Sequence, residues 1–182
     1  MEGQGINPQQ RGRILYFAYG SNMSTARLRE RMPSCNPLGI ATFPGHALRF
    51  HKRSIDKSGK CNAFASGNDI SVIGVLFSFD PAERAKLDKA EGVGSGYEHA
   101  MVTVIDNTGR RRKVLTYLAS PDYIDDSLKP YDWYKDVVLA GGREHGLPLV
   151  YIAEYIQPIE AIEDPNKTRE RKRRTTLGSP GR

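Results

Sequence analysis

Two short stretches hold residue types arranged for chemistry. The first is Gly20-Ser21-Asn22, which halts the apolar run Ile14-Leu15-Tyr16-Phe17 just before a helix-like segment from Ser24 to Met32. Glycine takes positive φ without steric cost, and Ser and Asn side chains bond nearby backbone, so a strand reaching this point ends in a tight turn. Ser24 suits the N-cap of the segment that follows. The start of a helix leaves backbone N–H groups without intrahelical partners, and a carboxylate or an oxyanion suits such a place. By residue type alone, the stretch reads equally well as a first strand with a tight exit. The second stretch is Glu91-Gly92-Val93-Gly94-Ser95-Gly96. Glu91 closes a helix-like segment, where its carboxylate faces the negative end of the dipole. Enclosure would add desolvation, and both effects disfavour the ionised form, as a general base working near neutrality requires. Taken alone, Glu91 reads first as a helix-terminal surface glutamate.

Other motifs carry less. Gly94-Ser95-Gly96 runs into Tyr97, Glu98 and His99 rather than into a helix, so it is no dinucleotide fingerprint. Gly59-Lys60 lacks both the upstream glycine and the following Ser or Thr of a phosphate loop. The histidines at 46, 51, 99 and 145 have no ligand spacing, so neither a metal nor another cofactor is expected. Cys61 with a histidine would make a thiol nucleophile, but a buried structural cysteine is the stronger reading. The stripe Tyr131, Tyr134, Val137 and Val138 reads as core.

The elements that must position these residues can be read from pattern. The first strand covers Ile14 to Phe17, and the helix after it closes at Pro33-Ser34-Cys35-Asn36-Pro37. Short strands are expected at Ile40 to Thr42, Ala47 to Arg53 and Cys61 to Ser66, with a central one at Ser71 to Phe79. Asp80, Pro81 and Glu83 mark a helix start with a capping box, and that helix runs to Ala90 or Glu91. Tyr97 to Asp106 and Lys113 to Ala119 form an antiparallel hairpin around Asn107-Thr108-Gly109. A helix over 131–145 ends at Gly146 and Pro148, and an amphipathic segment runs from Val150 to Ala161. Strands dominate the first two-thirds and helices are inserted or appended. That order implies an α+β fold with a largely antiparallel, barrel-like sheet and flanking helices.

Composition bounds the setting. The chain has 182 residues, 38% hydrophobic and 26% charged, enough for one domain with a substantial core. No apolar run approaches the roughly 20 residues of a membrane span, and the N-terminus lacks the basic and apolar regions of a signal peptide. A cytoplasmic protein with Cys35 and Cys61 as free thiols is therefore expected. The net charge of +6 arises entirely after residue 166, where seven basic residues face the single acid Glu170. The basicity belongs to a tail. Residues 1–12 are read as a flexible N-terminus, 13–163 as the domain and 164–182 as a basic, disordered tail. Such a tail attracts nucleic acid weakly at most, and solvated disorder is the preferred reading.

The two chemical stretches together resemble the γ-glutamylcyclotransferase-like family. Tyr19-Gly20-Ser21-Asn22 matches its Tyr-Gly-Ser-Asn turn after a first strand, within Tyr16 to Met23. Leu87-Asp88-Lys89-Ala90-Glu91-Gly92, with Ser95-Gly96-Tyr97 after it, is similar to the segment that holds the family's catalytic glutamate. Tyr117 falls where the family places a pocket tyrosine, and Gly146-Leu147-Pro148 also recurs there. The resemblance spans roughly residues 14–160 and implies release of 5-oxoproline from a γ-glutamyl amino acid or amine, as in glutathione metabolism, with no cofactor. Glu91 would be the one general acid and base. Tyr16, Phe17, Ala18, Tyr19, Gly20, Ser21, Asn22 and Tyr117 would bind the substrate, with Asn22 bracing the turn and the Tyr117 hydroxyl or backbone N–H groups meeting the oxyanion. A homodimer is compatible with this, and the loop 120–130 is where a change of specificity would sit. The rival reading is a catalytically silent binding module of the same fold whose tail recruits nucleic acid.

Overall fold

The computed structural model describes residues 12–175. Along the chain run β1 (Ile14–Ala18), α1 (Thr25–Arg31), β2 (Asn36–Pro44), β3 (His46–Arg53), β4 (Gly59–Ala65), β5 (Ser71–Phe79), α2 (Arg84–Glu91), β6 (Tyr97–Asp106), β7 (Arg111–Ala119), α3 (Asp132–Glu144), α4 (Leu149–Tyr155) and α5 (Lys167–Thr175). Five strands close a barrel in the order β1, β5, β2, β6, β7, while β3 and β4 form a separate hairpin. Barrel neighbours are antiparallel except at the closure, where β1 runs parallel to β7 with Tyr16 opposite Leu115. β5, the most apolar strand, is paired on both sides and is buried along most of its length. Phe17, Phe77 and Phe79 are fully buried in the core beside it. Among the described residues no helix is long and apolar enough to cross a membrane.

β2 is longer than the expected Ile40 to Thr42. Pro37 cannot donate to a ladder, but a register shift between Pro37 and Gly39 lets the strand continue through it. α4 is shorter than the expected segment from Val150 to Ala161 and ends at Tyr155.

Three devices aim the chain at one place. Ser24 caps α1 by accepting from the Arg27 N–H, which leaves the preceding 3-10 turn, Ser21–Met23, projecting from the end of β1. α3 backs that turn closely: a Cβ on Gly141 would lie 2.7 Å from the Ser24 nitrogen and 2.8 Å from the Met23 carbonyl carbon. The start of α2 is fixed by Asp80, whose carboxylate accepts from the Ala82 N–H at 2.9 Å, with Pro81 beginning a 3-10 turn ahead of the helix. Glu83 does not close the expected capping box, because it accepts from the Ser34 hydroxyl at 2.6 Å. α2 ends immediately after Glu91, where Gly92 takes the left-handed conformation at φ 66°.

The expected disordered tail from 164 is not what residues 164–175 form. Asp164 is fully buried and accepts from the Trp133 indole at 2.9 Å and from both nitrogens of an Arg169 fork at 2.7 and 2.5 Å. The Arg169 guanidinium holds this carboxyl below the usual carboxylate range. Arg174 reaches Asp132, Asp136 and Glu170. Sequence composition read these charges as solvated, yet Arg169 pairs with Asp164 and Arg174 with carboxylates on α3 and on α5 itself. The flexible segment expected at 1–12, save Gly12, and the tail beyond 175 lie outside the described residues.

Candidate active site

The end of β1, the turn after it and the end of α2 converge on one small recess. It has a volume of about 40 Å3 and is walled by the turn residues 20–22, Glu91, Cys61 and five tyrosines, at 16, 19, 97, 117 and 134. Glu91 comes from 69 residues beyond Asn22, yet Asn22 Nδ2 donates to Glu91 Oε1 at 2.9 Å. The same Asn22 amide donates to the Tyr16 hydroxyl at 2.9 Å. Arg31 Nη1 donates to Glu91 Oε1 at 2.5 Å and to Asn22 Oδ1 at 2.9 Å. One carboxylate oxygen is thereby fixed by an amide and a guanidinium. Oε2 has no protein partner among the described residues and is the one left for a ligand.

The tyrosines differ in where their protons go. Tyr19 donates to the Tyr117 carbonyl, Tyr97 to the Cys61 carbonyl at 2.5 Å, and Tyr117 to Asp88 Oδ1 at 2.6 Å. Tyr16 accepts from Asn22 and has no acceptor for its own proton among the described residues. Burial raises the pKa of the Tyr16, Tyr19 and Tyr97 hydroxyls above that of an ordinary phenol, and the nearby Glu91 charge adds to the effect. They are neutral donors at physiological pH. Burial also pushes the Cys61 thiol up to about 12, so Cys61 offers no thiolate nucleophile near neutral pH. Both cysteines are free and buried.

Of the residues expected to bind substrate, Tyr16, Tyr19, Gly20, Ser21, Asn22 and Tyr117 line the recess with Glu91. Phe17 and Ala18 do not. Both are buried in the core: alternation turns Phe17 to the face opposite Tyr16, with its ring edge-on to Phe43 at 6.2 Å, and Ala18 is enclosed at the end of β1. The Tyr117 hydroxyl, expected with backbone N–H groups as an alternative oxyanion donor, gives its proton to Asp88 Oδ1 here. Gly20 is required for closeness rather than for positive φ. Its backbone sits at φ −121°, and a Cβ there would lie 2.9 Å from the Cys61 Cβ. The loop 120–130 lines neither this recess nor the cavity beside it. It folds onto the hairpin instead, with the Asp125 N–H on the His51 carbonyl at 2.9 Å and the Asp126 carboxylate 2.7 Å from His51 Nδ1.

A larger cavity of about 420 Å3 adjoins the recess and shares Ser21, Glu91, Tyr97 and Tyr134 with it. Arg27, Arg31, Lys52, Lys60, Arg169 and Arg173 line it against two carboxylates, Asp56 and Glu91. Sequence reading missed all six cations. The available signal was the spacing of Arg27 and Arg31, which puts both on one face of α1 just past the turn. Among the described residues no group of three or more His, Cys, Asp or Glu side chains is placed to hold a metal.

Comparison with known proteins adds to this geometry. Residues 71–155 match the model of the AIG2-like family. The chain is 35% identical to human γ-glutamylcyclotransferase over 159 residues, spanning 84% of this chain and 80% of that protein. It is 34% identical to the bovine γ-glutamylcyclotransferase over 169 residues, spanning 90% and 85%. A human crystal structure superposes with a TM-score of 0.82 at 29% identity, covering 92% of this chain and 99% of that one. The solved structure of a γ-glutamyl cyclotransferase gives a TM-score of 0.79 at 28% identity, covering 90% and 99%.

Proposed function

The chain belongs to the γ-glutamylcyclotransferase family, and from that premise we propose that it releases 5-oxoproline from γ-glutamyl compounds by intramolecular aminolysis. The observation that carries this reading is the Glu91 carboxylate. It is held through one oxygen by Asn22 and Arg31, with the other oxygen open, beside the turn Gly20-Ser21-Asn22.

The reaction needs few parts. The α-carboxylate of the substrate is anchored at the turn, where the first N–H groups of the 3-10 segment lack intrahelical partners. Held there, the γ-glutamyl chain curls so that its own α-nitrogen meets the γ-carbonyl carbon, and orientation supplies a large share of the rate when the nucleophile is internal. Glu91 Oε2 takes a proton from the α-ammonium and frees the attacking lone pair. The new C–N bond closes the five-membered lactam as the carbonyl π electrons move onto oxygen. The Tyr16 hydroxyl, neutral and with a proton to give, stands as donor to that oxyanion. Collapse breaks the bond to the leaving nitrogen, which receives the proton held by Glu91. The regenerated carboxylate takes the second proton from the ring nitrogen and passes it to the departing amine, which leaves as its ammonium. The products are 5-oxoproline and the free amine, with no net change of oxidation state.

The test is product identification. Purified protein is incubated with γ-glutamyl-alanine, γ-glutamyl-glutamate and γ-glutamyl-methylamine, and 5-oxoproline is measured by mass spectrometry against an enzyme-free control. Stoichiometric 5-oxoproline and free amine from at least one substrate is the expected result. Glutamate in place of 5-oxoproline would mean hydrolysis, and the cyclisation scheme would be wrong.

A further inference from the structure

We propose that the outer cavity selects γ-glutamyl substrates whose leaving amine carries two or more negative charges, a dicarboxylic amino acid or a phosphorylated amine, through Arg27, Lys52 and Arg173. The proposal rests on the cyclotransferase reading and names the class of leaving group. Because the outer cavity shares Glu91, Ser21, Tyr97 and Tyr134 with the recess, it is the space open to whatever is attached to the reacting γ-carbonyl.

Charge pairing within the cavity is incomplete. Arg31 is matched by Glu91, Lys60 by Asp56 at 2.9 Å, and Arg169 by Asp164. Arg27, Lys52 and Arg173 remain, and among the described residues none of the three has a hydrogen bond or ion pair to its charged group. Arg27 and Lys52 are each only 7% exposed, and the Arg27 Nε is fully buried without a partner. A buried, unpaired cation is costly, and the cost falls when an anion arrives. The Lys52 ammonium rests on the face of Tyr97, 4.5 Å away, with Glu91 and Asp56 acting on it through space.

The placement argues for more than one negative charge. Arg27 comes from α1, Lys52 from β3 and Arg173 from α5, so the positive walls belong to three separate elements. The single carboxylate of a neutral amino acid leaves most of that charge unmatched. Like-charge contact points the same way. Burial is the main cause of the lowering of the Arg27 guanidinium to about 10, and the neighbouring Arg31 and Arg173 charges add to it. The basic C-terminal segment thus contributes to the cavity, with Arg169 and Arg173 both among its lining residues.

The experiment compares kcat/KM for γ-glutamyl-glutamate and γ-glutamyl-phosphoethanolamine with that for γ-glutamyl-alanine and γ-glutamyl-methylamine. The expected result is a preference of at least about tenfold for the first two, expressed in KM. Their ratio separates dicarboxylate from phosphate. That preference should fall about tenfold in Lys52→Gln and in Arg173→Gln, and persist in Arg171→Gln, which alters an exposed tail arginine outside the cavity. Arg173 is half-buried, so its variant still reports if a change at buried Arg27 or Lys52 prevents folding. Calorimetric binding of γ-glutamyl-glutamate and γ-glutamyl-methylamine to Glu91→Gln protein makes the same comparison without turnover. Tighter binding of the polyanion with no turnover of any substrate by the wild type would uphold the cavity and sink the cyclotransferase reading. Turnover with no preference among the four substrates would overturn the proposal and leave that reading standing. An undiminished preference in both variants would overturn it as well.

Discussion

The inner recess and the outer cavity meet at Glu91, and they satisfy their polar groups in opposite ways. In the recess most polar atoms have partners: three tyrosine hydroxyls donate to protein acceptors, and Asn22 uses both ends of its amide. Among the groups left open in the described residues are one carboxylate oxygen, the Tyr16 phenolic proton and the first N–H groups of the turn. In the outer cavity, three cations face the space with no ion-pair partner of their own among the described residues. Satisfied networks are rigid and hold a catalytic group in one geometry. Unsatisfied charges wait for a ligand. A protein can therefore keep one proton-transfer centre fixed and change what it accepts by altering the cations beside it.

The sharpest way to break this division is to loosen the recess. Arg31→Gln removes the guanidinium from Glu91 and Asn22, and kcat is expected to fall by about tenfold to a hundredfold, more than KM changes. A loss confined to KM would move Arg31 from the recess to the outer cavity. Next in size is the packing behind the turn. Gly141→Ala forces a methyl group against the Ser24 and Met23 backbone and should destabilise the fold by about 1–3 kcal/mol in urea titration. Unchanged stability would show that the turn can move.

The pH dependence sharpens the outer cavity. Burial lowers the Lys60 ammonium to about 8, against the pull of Asp56 and with Arg27 and Arg169 adding to the shift. Trp133 and Tyr134 present their rings to it at 4.7 and 4.5 Å. Its folded-state value lies below the ordinary 10.5. The buried charge therefore costs the fold stability below about pH 8, and that cost is relieved as pH rises from about 8 to 10.5. Over the same range the cavity loses a cation. The kcat/KM ratio of γ-glutamyl-glutamate to γ-glutamyl-methylamine should fall several-fold between pH 7 and pH 9. A constant ratio would show that Lys60, already matched by Asp56, adds nothing to the charge that the leaving group meets. The smallest effect is expected at Cys61, whose buried thiol should resist iodoacetamide at pH 8 in the native protein and react once unfolded.

Local signals in the sequence were enough to find much of this. The strand into Gly20, the Ser24 cap, the Asp80-Pro81 helix start and the Gly92 stop are all written within a few neighbouring residues, and they placed the turn and Glu91 correctly at the ends of their elements. Phe17 and Ala18 were drawn into the site because a motif is contiguous, whereas only some of its residues face the recess. Features made by distant residues were not legible. The Arg31–Glu91 pair spans 60 positions, the close approach of Gly141 to Met23 spans more than 110, and the tail folds because Asp164 is buried under Trp133 and Arg169. A run of charges looks the same in sequence whether it is solvated or matched across the fold.

The most direct measurement is 5-oxoproline release by Glu91→Gln beside the wild type, under saturating substrate and with folding checked by circular dichroism. If Glu91 is the sole proton carrier, kcat falls by about 10²–10⁴-fold while substrate still binds. A folded variant that keeps wild-type kcat would contradict the role of Glu91.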